Sequence, residues 1–168
     1  MRRRVFVAAA GAALFLAALS LGASAAPQGE GCPGRMTGGG SVFTEDGLRV
    51  THGFELHCNK NAGSNNLEVN WDGGNNFHLE TVIRARCSDD PLIDPGQPES
   101  AIDTYTGYGE GRYNNVPGAT ARWIIKDAGE PGTSDTLTLS VWDVDGNQVL
   151  YVSGPLDHGN HQAHHHIP

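Results

Sequence analysis

Histidines are concentrated at the end of the chain, where five of the eight in the sequence fall within HGNHQAHHHIP. In a strand, alternate residues share a face, so His164 and His166 would lie about 7 Å apart, and His161 and His165 would form a second, looser pair. Neutral imidazoles at such spacings suit Zn²⁺, Cu²⁺ or Ni²⁺. The segment predicts a Zn or Cu site at these four histidines. The alternative is a solvated strand end that binds such metals adventitiously.

A second group of ligating side chains lies in the acidic segment DAGEPGTSD, which contains Asp127, Glu130 and Asp135. Carboxylates next to glycines are suited to Ca²⁺, which takes oxygen ligands. The spacing lacks the alternating ligands and closing glutamate of an EF-hand loop. Asp and Gly are also the residues that a tight turn requires without any ion. The segment is therefore either a calcium site or an ion-free turn, and the turn is the simpler interpretation.

The sequence contains no catalytic signature. No serine lies in a Gly-x-Ser-x-Gly elbow, and there is no His-Glu-x-x-His or Cys-x-x-Cys motif. We therefore predict a non-enzymatic protein that has no cofactor apart from the Zn or Cu above. Trp142 and Tyr105 form one further candidate site, because two aromatic rings on an exposed sheet face could stack on a sugar. Aromatic residues at such positions also serve to cover a sheet edge.

Strands must position these side chains. Apolar and polar residues alternate in LRVTHGFELHC, in FHLETVIRARC, where Ile83 is predicted inward, and in TLTLSVW, and no stretch has a helical period. Asp145-Gly146 marks a hairpin turn. These signals predict an all-β domain, a single antiparallel β-sandwich or flattened barrel of about eight strands. His52 falls on an inward face and is predicted to be buried and hydrogen-bonded.

Two further expectations concern the ends of the strands. Cys58 and Cys87 both end long strands on the inward face, so they are the natural disulfide pair, and Cys32 is left over. The final strand, beginning at GNHQAHHHIP, is expected to pair near MTGGGSVF. Glycines in that segment would let the two backbones approach closely.

The first residues have the pattern of an export signal. Three arginines precede an apolar run that ends in the small residues ASA. We predict a signal peptide over residues 1–25, a linker over 26–34 and the β-domain over 35–168, although the apolar run is long enough that an uncleaved anchor is an alternative. Removing the three leader arginines leaves 8 basic and 19 acidic residues, a net charge of −11. This charge argues against binding to nucleic acid or to an anionic membrane.

Several segments resemble a known family. RMTGGGSVF, VTHGFELHC, NLEVNW, NNFHLE and the stretch from GEGRYNNVPG to LTLSVWD resemble, in this order, the secreted bacterial all-β domains termed post-COAP. The resemblance extends from about Arg35 to His165 and implies a β-sandwich without an assigned catalytic activity, found in exported and often surface-attached proteins. It transfers no catalytic residue.

The sequence as a whole predicts a secreted, non-enzymatic β-sandwich module that acts at or outside the cell surface on an unidentified partner. Two alternatives stay open. One is a transition-metal-binding protein that uses the C-terminal histidines. The other is a carbohydrate-binding module that uses Trp142 and Tyr105.

Overall fold

The computed structural model describes residues 33–93 and 100–164. The predicted signal peptide over 1–25, most of the linker, Cys32, His165 and His166 lie outside these ranges. Within them, no helix is long and apolar enough to cross a membrane.

The described residues form nine strands and one short 3₁₀ turn at Asp72–Gly74. The strands are β1 (Arg35–Phe43), β2 (Arg49–His57), β3 (Asn66–Trp71), β4 (Asn75–Ser88), β5 (Thr104–Tyr113), β6 (Val116–Lys126), β7 (Thr136–Trp142), β8 (Gln148–Pro155) and β9 (His158–His164). All nine belong to one antiparallel sheet in the order β8-β7-β6-β5-β4-β3-β2-β1-β9. The predicted all-β antiparallel fold is confirmed.

The order of the strands explains the shape of the sheet. β8 and β9 are its two edges, yet only Leu156 and Asp157 separate them along the chain. Edges joined by so short a connection must meet at one end, and the sheet is curled into a half-barrel. The backbone N–H of Asp157 donates to the carbonyl of Ser41 in β1, at 2.8 Å, across this junction. The architecture is closer to the predicted flattened barrel than to two stacked sheets.

The core fills the inner face of the curled sheet. Alternate residues of the strands point inward and form one buried cluster, whose largest members include Trp123, Tyr105, Phe77, Met36 and Leu56. Gly107 in β5 gives Trp123 its space, because a Cβ on Gly107 would lie 2.2 Å from the indole. Apolar burial on this scale is the main stabilising contribution.

β4 contains two irregularities that change which of its residues face inward. The pairing with β5 shifts register between Leu79 and Thr81 and again between Val82 and Arg84. Val82 is therefore buried and Ile83 is only half-buried. The prediction that Ile83 points into the core is wrong, because an extra residue at a bulge reverses the alternation of side chains beyond it.

The disulfide pairs Cys58 with Cys87, as predicted, with a Cα–Cα distance of 5.4 Å. Both cysteines are buried, at the end of β2 and near the end of β4. The bond closes a loop with a sequence separation of 29 residues, which in the chain-entropy model stabilises the fold by about 3.5 kcal/mol.

Candidate functional site

Glycines allow the two terminal strands to pair. β9 pairs with β1 in antiparallel register, with Gly38 opposite His161 and Gly40 opposite Gly159. A Cβ on Gly38 would lie 2.3 Å from the Asn160 carbonyl oxygen. A Cβ on Gly40 would lie 2.3 Å from the His158 carbonyl oxygen. The predicted pairing of the final strand with MTGGGSVF, and its reason, are confirmed.

His161 points inward from β9 and is fully buried. Its Nδ1 lies 3.0 Å from the Lys126 carbonyl oxygen, which can only accept, so Nδ1 carries the proton. Its Nε2 must then accept from the Nε2–H of His52, at 2.8 Å. The Nδ1 of His52 is left without a hydrogen-bond partner among the described residues. The tautomers of both rings follow from this single backbone carbonyl.

The histidine pair is held in its neutral form. Burial lowers the pKa of His52 to about 3, with a smaller contribution from the neighbouring His161. Burial lowers the pKa of His161 to about 4, against the opposing effect of its hydrogen bond to Lys126. Phe54 packs against both rings. The prediction that His52 is buried and hydrogen-bonded is confirmed.

His164 lies on the opposite face of β9 from His161. Its Nε2 lies 2.8 Å from the Thr37 hydroxyl, and partial burial, followed by the charge of Arg35, lowers its pKa. The structure therefore does not bring His161 and His164 together. Within residues 33–93 and 100–164, no group of three His, Cys, Asp or Glu side chains could hold a metal ion. A Zn or Cu site that includes His165 and His166 stays a prediction.

The three acidic residues proposed as calcium ligands lie next to β9. Asp135 is buried and accepts from the backbone N–H of His161 at 2.7 Å and of Ala128 at 2.8 Å. Asp127 accepts from the N–H of Ala163 at 2.7 Å. Glu130 accepts from the side-chain amides of Asn160 and Gln162, at 2.9 and 3.0 Å.

The carboxylates of Asp135 and Asp127 provide acceptors for backbone N–H groups on the edge of β9 that faces away from β1. A sheet edge otherwise exposes unpaired N–H groups that invite pairing with other chains. Burial raises the pKa of Asp135 to about 6, although its two backbone hydrogen bonds act in the opposite direction. Anchoring of the final strand explains this acidic segment without an ion, in line with the turn interpretation.

Tyr105 and Trp142 do not share a surface. Tyr105 is buried on the inner face, where its hydroxyl donates to the His57 carbonyl at 3.2 Å and burial raises its pKa. Trp142 is half-buried on the outer face. The predicted sugar-stacking pair is wrong, because Tyr105 lies on the inner face of the sheet and Trp142 on the outer face.

The outer face of the sheet carries a depression of about 650 Å³ across β4 to β7, here called the outer-face groove. Strand register aligns its side chains in two rows. One row runs Arg84, Tyr108, Arg122 and Ser140, and the other runs Arg86, Thr106, Ile124 and Thr138. The groove therefore combines cations, an aromatic ring, an exposed aliphatic side chain and hydroxyl groups.

Two aromatic rings flank the guanidinium of Arg122. It lies 5.5 Å from the centre of the Tyr108 ring and 6.0 Å from that of Trp142. Such cation–π contacts each contribute about 0.5–1 kcal/mol at exposed sites. They position the guanidinium, and its N–H groups make no hydrogen bond to any residue of 33–93 or 100–164.

The arginines of the groove differ from the other cations of the domain. Arg35, Arg112 and Lys126 form ion pairs with carboxylates, whereas Arg49 and Lys60 donate to uncharged oxygens. Among the described residues, neither the two β4 arginines of the groove nor Arg122 has a carboxylate partner. This cluster was not predicted, because Arg122 is distant in sequence from Arg84 and Arg86 and only the strand register brings it beside them.

Comparison of the chain with protein-family models, with curated proteins and with solved structures finds no match. The resemblance to post-COAP domains stays a prediction.

Proposed function

We propose that the chain is an exported, non-enzymatic binding module that acts at or outside the cell surface and binds its ligand through the outer-face groove. The observation that carries this proposal is the cluster of Arg84, Arg86 and Arg122 in one depression beside aromatic rings. Downstream of the predicted leader the chain has a net charge of −11. A concentration of cations that have no carboxylate partner in the described part of the chain is, on such a background, suited to attracting an anion.

Folding alone does not account for the groove. The three arginines are exposed, and Ile124 is 39% exposed at the centre of the lining. Exposed side chains of this kind contribute little to stability, and like charges on neighbouring rows repel one another. A bound ligand that neutralised these charges and covered Ile124 would account for this arrangement of side chains.

Export is supported by two independent features. The basic start and apolar run of the first residues have the pattern of a signal peptide. The Cys58–Cys87 disulfide is typical of oxidising environments outside the cytosol. The resemblance to secreted domains points in the same direction.

The test uses the full chain, expressed in a secreting host and recovered from the medium. We expect its N-terminus to begin after Ala25, and we expect immobilised protein to retain polymers from a panel of glycans without releasing new reducing ends. Replacing Arg122 with Ala should weaken that retention, whereas replacing Arg49, which lies outside the groove, should not. Hydrolysis of a glycan, ester or peptide that one point mutation abolishes would refute the non-enzymatic assignment.

A second candidate function is transition-metal binding by the C-terminal histidines. The observation in its favour is that His164 faces outward from β9 at the start of the three consecutive histidines. A strand end would leave these ligands mobile, so the affinity should be moderate.

A further inference from the structure

We infer that the outer-face groove binds an acidic polysaccharide, with carboxylates of uronic acid residues paired to Arg84, Arg86 and Arg122. The inference rests on the proposed function and specifies the ligand of the same groove. Three features of the groove carry it: the spacing of its arginines, the availability of their N–H donors, and the uncharged polar and apolar side chains that make up the rest of the lining.

The arginines are spaced for a chain with separated charges. Arg84 and Arg86 lie two residues apart on β4, which corresponds to about 7 Å, and Arg122 lies two strands from Arg84, about 10 Å. These are backbone spacings, and the three like-charged side chains remain furthest apart when each pairs with a different anionic group. A polymer with one carboxylate on each sugar, or on every second sugar, provides such separate groups.

The donors of these side chains are available for bidentate pairing. A guanidinium presents a planar fork that matches the two oxygens of a carboxylate. Arg122 is positioned by Tyr108 and Trp142 through its cationic face, and in the described ranges none of its N–H groups is used in a hydrogen bond. A carboxylate can therefore approach without first displacing a protein partner.

The rest of the lining suits a sugar. Hydroxyl groups of Thr106, Thr138 and Ser140 can exchange hydrogen bonds with sugar hydroxyls, and Tyr108 and Ile124 offer apolar surface to the C–H face of a ring. Thr138 already bonds the Ser153 hydroxyl at 2.8 Å, which extends this polar row onto β8.

The charge of the whole chain favours a polysaccharide over nucleic acid. Double-stranded DNA carries one charge per roughly 1.7 Å of its axis. The net charge of −11, which already includes the three arginines of the groove, would repel so dense an array of phosphates. A polysaccharide with separated carboxylates meets the arginines and brings few charges to the acidic surface around them. Glu110, two residues from Tyr108 on β5, is exposed and lies outside the lining of the groove.

The test is calorimetric titration of the full chain with polygalacturonate and with the same polymer fully methyl-esterified, which removes the charge and keeps the sugars. We expect binding to the free acid to be at least about tenfold tighter. Arg122→Ala and Arg84→Ala should each weaken it about tenfold, the loss of one charge-assisted pair. Arg49→Ala, an equal change of charge outside the groove, should leave it unchanged. Arg122→Lys keeps the charge and loses the fork, and should bind about as weakly as Arg122→Ala.

The other arms separate the two proposals. Equal binding to the acid and its methyl ester, still reduced in Arg122→Ala, would overturn the uronate inference and leave a groove that binds neutral sugar. Tighter binding to dextran sulfate or to duplex DNA than to polygalacturonate would also overturn it. If no polymer binds, or if Arg49→Ala weakens binding as much as Arg122→Ala, the groove is not a binding site and the proposed function fails. Circular dichroism and melting temperature, which should match the wild type in each variant, confirm that the exposed substitutions leave the fold intact.

Discussion

Acidification should destabilise this domain through its buried histidine pair. His52 and His161 have pKa values of about 3 and 4 in the fold, well below the value near 6.5 of an exposed histidine. The unfolded chain therefore binds more protons than the folded chain between about pH 6.5 and pH 4. Stability from these two residues is fully present above pH 6.5 and is lost as the pH falls towards the folded pKa values.

The magnitude follows from the pKa values. From about pH 7 to pH 4.5, each histidine removes about 2.5 kcal/mol of the free energy of unfolding. Asp135 acts in the opposite direction, because its pKa is raised to about 6. As the pH falls, Asp135 is protonated in the folded chain before it is protonated in the unfolded chain. This adds about 2 kcal/mol to the free energy of unfolding over the same interval. For these three groups together we expect a net loss of about 3 kcal/mol.

Urea unfolding at a series of pH values measures this loss directly, with tryptophan fluorescence as the signal and the disulfide intact. His52→Leu should remove the contribution of one histidine and so reduce the pH dependence of the free energy of unfolding below pH 6.5. The variant also removes the hydrogen bond that the Nε2 of His161 accepts. His158→Gln changes an exposed histidine on β9, the strand of His161, and separates the effect of burial from the loss of a histidine as such. A free energy of unfolding that stays constant or rises from pH 7 to pH 4.5 would refute the assignment of a neutral buried pair.

Three further outcomes can be checked by independent measurements. Gly38→Ala should cost about 2–3 kcal/mol in urea unfolding, because its φ of 151° is strained for alanine and its Cβ would meet the backbone of β9; Gly53→Ala, which has open space, should cost less than about 0.5 kcal/mol, and equal costs would contradict the close-approach explanation. Asp135→Ala should lower the free energy of unfolding at neutral pH by about 2–3 kcal/mol and speed hydrogen exchange at the His161 amide, because the buried N–H of His161 and the partly buried N–H of Ala128 lose their acceptor. Unchanged exchange at that amide would show that the carboxylate does not anchor β9. Replacing all histidines of 164–166 with alanine should abolish Zn²⁺ binding measured calorimetrically above about pH 6.5, while leaving the melting temperature of the metal-free protein almost unchanged; equal Zn²⁺ binding would place the metal elsewhere.

Local alternation was sufficient to predict much of the fold. It identified the strands and the inward side of His52, because each depends on residues within one strand. It also placed Cys58 and Cys87 on inward faces at strand ends, and these were the two cysteines that could pair. It failed at Ile83, because Thr81 and Val82 interrupt the alternation there and only the pairing with β5 shows where the strand bulges. It also placed Tyr105 on the exposed face of the sheet, whereas this residue of β5 points into the core.

The candidate site was less predictable because it depends on register. The outer-face groove exists only where Arg84, Tyr108 and Arg122 align across three strands. The acidic segment was visible in the sequence, but its partners lie on β9, more than twenty residues away along the chain. Sequence reasoning found the carboxylates and could not find the N–H groups that they accept from.

The groove itself is best tested by nuclear magnetic resonance titration of the full chain with a short galacturonate oligomer, following the guanidinium Nε–Hε signals of the arginines. We expect the signals of Arg84, Arg86 and Arg122 to shift together, with titration curves that give the same dissociation constant, while the signal of Arg49 does not shift. Shifts at the Arg35 signal of β1 and at the amides of β9, with the groove signals unchanged, would contradict the assignment of the ligand site to the outer face of β4 to β7.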